Sequence, residues 1–231
     1  MDKLSRSAVQ RVKLEINTSY NHIANYSVEN PSSIVVTRIQ ETEVRCILKK
    51  IVLLKHLRIS PDFDDLFNQV TSDLLNVSKY LICDDSRAYA LTLRSVLENM
   101  IRIIMEKVSS SDHVTINLLN DFNQACRPTL TDINWSFIMK VYNESSTIIH
   151  FHSNKSTIDS FVVDCFPLDV KNNGYIKHIS DADARQWRHL FRILEELLCE
   201  KYKEEVMGSY SRKVALLKYL TFKESYSILQ K

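Results

Sequence analysis

Two stretches of the chain concentrate side chains able to handle protons and anionic groups. Ser86 to Met105, SRAYALTLRSVLENMIRIIM, sets Arg94, Glu98 and Arg102 four residues apart, and Tyr142 to Ser153, YNESSTIIHFHS, carries Asn143, Ser146 and His150. Side chains at that spacing share one helical face. The first stretch therefore presents a plus-minus-plus ladder, worth about 0.2–0.5 kcal/mol per pair if it is solvated. If it instead faces the second stretch, the two enclose a polar pocket. An imidazole there can accept or donate the proton of a hydroxyl-attack step, and a guanidinium can stabilise charge developing on phosphorus. His150 also suits a hydrogen-bonded place at a helix end, where positive charge complements the dipole. These readings stay open at the level of sequence.

Other groupings are weaker. His150 and His152 are two positions apart, which turns them to opposite sides of a helix. His178, Asp181 and Asp183 surround Ser180, but carboxylates at a helix start are what capping and dipole effects predict without a metal. Cys46, Cys83, Cys126, Cys165 and Cys199 are spread singly, with no Cys-x-x-Cys pair and no zinc spacing. They read as reduced core thiols. Neither a metal nor a cofactor is expected. Trp135, Trp187, Phe191 and Tyr202 fall at core-facing helical positions rather than on a base-stacking platform. The tail, with Arg212, Lys213, Lys218 and Lys223 among Leu216, Leu217, Tyr219, Leu220 and Phe222, reads as a terminal helix docking an apolar face.

The elements that must position these groups are helices. Only 2 glycines and 4 prolines occur in 231 residues, and dinucleotide folds, phosphate loops, sandwiches and barrels all need glycine at tight turns or close approaches. Apolar periodicity predicts helices from Leu4 to about Ala24, Ser33 to about Leu57, Pro61 to Leu81, Asp84 to Val108, through Ile116 to Phe122, Asp132 to His152, from Ser180 through Leu198, and Glu204 to Leu229. Ser109 to Asp112 offers an N-cap for the helix through Ile116, and Ser180 with Asp183 resembles a capping box. Between 158 and 178 the apolar run Phe161 to Phe166 and the turn signal Asn172-Asn173-Gly174 predict a small hairpin or irregular insertion. The expected fold is all-α, an antiparallel bundle. An N-terminal helical extension, 1–60, precedes the main domain, 61–231, although the two can form one continuous unit.

Charged residues make up 25% of the chain with a net charge of +2, an ordinary balance that supplies no strongly basic footprint for duplex DNA. The first residues lack an apolar signal core, and no apolar run reaches membrane-spanning length. A cytoplasmic location without membrane attachment is expected.

Taken together, Ala90, Leu93, Arg94, Leu97, Glu98 and Arg102, followed by Tyr142, Ser146 and His150, resemble the paired helices of HEPN-like proteins of prokaryotic defence and toxin–antitoxin systems. The resemblance covers about residues 74–203. It implies a homodimer with RNA or a partner protein of the same system as its target. Ribonuclease members carry an Arg with four to six residues between it and a catalytic His. Here Asn143 to Ser146 stand where that Arg belongs, and Arg185, four positions before His189, is one residue too close. The resemblance therefore implies a non-catalytic or degenerate binding dimer. The alternative is a metal-independent endoribonuclease using His150 with Asn143 and Ser146, its missing cation supplied by Arg94 or Arg102.

Overall fold

The computed structural model describes residues 3–28, 36–109, 115–149 and 179–231. Among them are ten α-helices and no strand: α1 (Lys3–Val28), α2 (Arg38–His56), α3 (Asp64–Cys83), α4 (Ser86–Ile104), α5 (Ile116–Ala125), α6 (Asp132–Ile149), α7 (Asp181–Lys201), α8 (Lys203–Ser209), α9 (Val214–Leu220) and α10 (Lys223–Gln230). A single 3-10 turn, Pro61–Phe63, leads into α3. The expected all-α bundle is present. The expected insertion at 158–178 lies outside the described residues.

α4 is the central helix because its apolar side chains run almost all the way round. Leu93, Val96, Leu97, Met100, Ile101, Ile103 and Ile104 are all buried, so neighbours must cover several sides. It packs against α3, α6 and α7, while α2 lies between α1, α3, α7 and α9. One continuous buried cluster includes Val12 and Ile16 of α1, Val44 and Ile47 of α2, and Leu194 and Leu198 of α7. The boundary drawn at residue 60 thus falls between two helices, α2 and α3, that share one core.

The helix ends have local causes. Thr37 and Gln40 form a reciprocal capping box that starts α2 at Arg38, later than the Ser33 expected from periodicity. Asp84 turns the chain between α3 and α4 in the left-handed region, φ 56°, which a short polar side chain tolerates better than a bulky one. Its Oδ1 accepts the Ile179 amide at 2.6 Å, tying the entry of α7 to that turn. Ser180 and Asp183 then form the capping box that opens α7.

Three expectations about helix ends are corrected. α4 stops at Ile104, not Val108: the Glu106 amide donates to the Ile103 carbonyl and the Lys107 amide to that of Arg102, with Glu106 at φ 56° in the place glycine usually takes. The N-cap of α5 is Thr115, whose side chain accepts from the Leu118 amide, rather than the serine run before it. The tail is three short helices instead of one. Its buried positions, Val206, Tyr210, Leu216, Leu217 and Leu220, would share one stripe of a straight helix, so the breaks come from tertiary contacts and not from the apolar spacing. Tyr210 donates to the Leu53 carbonyl at 3.0 Å and anchors the first break.

Candidate site at the seam of helices 4 and 6

Arg94 sits on the side of α4 that faces α6, with its side chain 15% exposed. Its Nε donates to Glu98 Oε1 at 2.7 Å, one turn along the same helix. Nη1 donates to Ser146 Oγ at 2.6 Å and Nη2 to the Tyr142 hydroxyl at 3.2 Å, both across the seam. The guanidinium also lies 4.3 Å from the centre of the Tyr142 ring, within cation–π range. Ser146 in turn donates to the Tyr142 carbonyl at 2.8 Å, so the two acceptors on α6 are held in register.

The two stretches that stand out in the sequence therefore meet, through Arg94, Glu98, Tyr142 and Ser146. Arg102 does not join them. It extends the other way and donates to carbonyls beyond the end of α4, at 2.9 Å for Ser109 and 3.3 Å for Lys107. The plus-minus-plus ladder is thus a single pair, because the Arg102 guanidinium satisfies carbonyls that the helix end leaves open. Asn143 is exposed on α6. His150 and His152 lie outside the described residues, as do His178 and Cys165.

A guanidinium has five N–H donors. Three of Arg94's are used here, which leaves two among the described residues for a ligand oxygen. Its charge is offset by Glu98 at 2.7 Å, so the group offers hydrogen-bond donors and no unneutralised charge.

A second grouping, of which only the Arg185 and His189 pair is read from the sequence, lies between α6 and α7. Phe137 and Lys140 from α6 and Ala182, Asp183, Arg185, Gln186 and His189 from α7 line a cleft of about 340 Å³. The Phe137 and His189 rings meet nearly edge to face, 4.2 Å between centres. Burial and the neighbouring Arg192 both hold the His189 imidazole below the usual histidine range. The signal was present in the four-residue spacing of Arg185 and His189, which places both on one helical face. Their contact with α6 was not.

Away from these sites, Glu43 is buried and accepts from Trp187 Nε1 at 2.8 Å and Arg188 Nε at 3.0 Å. Burial raises its carboxyl above the usual range, outweighing Arg188 and the Trp187 hydrogen bond. Asp183, one of the carboxylates grouped around Ser180 in the sequence, serves the α7 capping box. Among the described residues no helix is long and apolar enough to cross a membrane. No protein-family model, curated protein or solved structure matches the chain.

Proposed function

We propose that the chain is a HEPN-like component of a prokaryotic defence or toxin–antitoxin system, acting as a homodimer that binds RNA or a partner protein without cleaving RNA. The observation that carries this reading is the state of Arg94. Cleavage of a phosphodiester needs a cation to stabilise the charge that builds on phosphorus. The sequence offers Arg94 or Arg102 in place of the missing motif arginine. Arg94 is neutralised by Glu98 and tied to Ser146 and Tyr142, and Arg102 is spent on the end of α4. Two N–H groups of Arg94 remain to hold a phosphate oxygen without activating it.

The test is incubation of the purified protein and its His150→Ala and Arg94→Ala variants with mixed single-stranded and structured RNA in EDTA, alongside filter binding and sedimentation. The expected result is a dimer with no cleavage by any of the three, and salt-sensitive RNA retention weakened in Arg94→Ala. Cleavage by the wild type that is lost in His150→Ala would establish the endoribonuclease reading instead. Absence of RNA retention in all three would direct the search to a partner protein.

A further inference from the structure

By helical geometry, Phe137 and Lys140 lie on the opposite flank of α6 from Tyr142 and Ser146, so the cleft between α6 and α7 is separate from the Arg94 seam. Its polar lining is dominated by donors. Lys140 contributes an ammonium on a side chain 62% exposed and only loosely held by Glu144, at 3.7 Å. Arg185 contributes an exposed guanidinium that is in no close ion pair among the described residues, although the Glu43 carboxylate lies within its electrostatic reach. Gln186 contributes an amide whose Nε2 donates to Glu144 Oε2 at 3.3 Å. His189 is the informative member. Arg192 Nη2 lies 3.1 Å from its Nδ1, and because a guanidinium can only donate, Nδ1 must accept. The imidazole is then neutral with its proton on Nε2, a further donor.

The carboxylates nearby are already engaged. Asp183 Oδ2 accepts from the Ser180 hydroxyl at 2.8 Å and from the Ser180 amide at 3.3 Å, and Glu144 serves Gln186 and Lys140. Phe137 supplies one apolar wall. The volume of about 340 Å³ lies at the small end of ligand sites, which run from roughly 300 to 1,000 Å³. A small cleft lined by Lys140, Arg185, Gln186 and His189 suits a group with several acceptor oxygens.

We propose that this cleft binds the phosphate of a small phosphomonoester of mononucleotide size, with Arg185 and Lys140 as the charged anchors and His189 and Gln186 as the neutral donors. The phosphate can arrive alone or on a nucleoside, and the two sources are separable. Neither anchor belongs to the Arg94 seam, so this inference stands or falls independently of the RNA reading.

The experiment is calorimetric titration of the full chain with inorganic phosphate, adenosine and adenosine 5′-monophosphate, repeated on Arg185→Gln, Lys140→Gln and Arg212→Gln, with melting curves to confirm folding. Both cleft positions are exposed on their helices, so these variants retain the fold. Saturable binding of the monophosphate, weaker binding of phosphate and none of adenosine is expected. Either cleft variant should lower the monophosphate affinity by about tenfold or more, the loss of one charge-assisted contact, and Arg212→Gln, an exposed cation outside both sites, should leave it unchanged. Equal affinities for phosphate and the monophosphate would assign the cleft to the free anion. Absence of saturable binding at millimolar ligand, or binding that Arg185→Gln and Lys140→Gln both leave intact, would overturn the proposal.

Discussion

The Lys50 ammonium on α2 lies 2.8 Å from Oε2 of Glu195 on α7, and both side chains are buried. The pair closes the break between α9 and α10: Lys50 Nζ donates to the Leu220 carbonyl at 2.7 Å, and Glu195 Oε1 accepts the Phe222 amide at 2.7 Å. The Phe222 ring, 3.4 Å from Nζ, covers it. A buried ion pair thus does the work of two helix caps for a segment far away in sequence. Removing one member leaves a charge and a backbone group unpaired out of water, so Lys50→Met or Glu195→Leu should each cost about 3–5 kcal/mol in urea unfolding. The double variant Lys50→Met/Glu195→Leu should lose less than the two single losses added together, because it removes both charges. Additive losses would show that the pair is not the unit that holds the tail.

Arg94 should behave as a directional connector rather than a point charge. Arg94→Ala should destabilise the protein by roughly 1.5–3 kcal/mol, the range for hydrogen bonds to charged groups, and Ser146→Ala by about 1 kcal/mol. A double-mutant cycle between them should give a coupling of at least about 0.5 kcal/mol, as residues in one network do. Arg94→Lys should not restore stability, since the single nitrogen of an ammonium cannot take the three separate donor positions of Nε, Nη1 and Nη2. Full rescue by lysine would reduce the seam to a simple charge contact.

Glu43 should make its own mark on the pH dependence of stability. Burial raises its folded-state pKa above the unfolded value, so the folded protein binds the proton more tightly. This group's contribution to stability therefore grows as pH falls from above the raised value toward the ordinary glutamate range. Asp73 and Glu196 share the direction, again through burial. Glu43→Gln keeps an acceptor for Trp187 but cannot titrate. Urea midpoints at pH 7 and pH 5 should show the wild type gaining on Glu43→Gln upon acidification. A gap that stays constant or widens in favour of the variant would remove Glu43 as the source.

Much of the molecule follows from residues close together in the chain. The periodicity of Tyr89, Leu93, Val96, Leu97, Met100 and Ile101 marks the buried faces of α4, and all six are buried. Ser180 and Asp183 cap α7 from three residues apart. Trp187, Phe191 and Tyr202 are core residues, as their positions require, and Trp135 packs partly buried against the core cluster. Glycine scarcity excluded every fold that depends on tight turns. These signals were legible because propensity, capping and amphipathic spacing act over one or two turns.

The remainder was decided by partners far away in the chain. The tail breaks into three helices because Lys50 and Glu195, on other elements, satisfy the peptide groups exposed at a break. Arg102 leaves its ladder because α4 ends sooner than its apolar run, and the free carbonyls there draw the guanidinium. Arg94 meets Tyr142 and Ser146, and Arg185 and His189 gain Phe137 and Lys140, only because α6 packs between α4 and α7. A single sequence carries the identity of each donor and acceptor. Their pairing depends on which helix faces touch, and that is settled by burying the whole core at once.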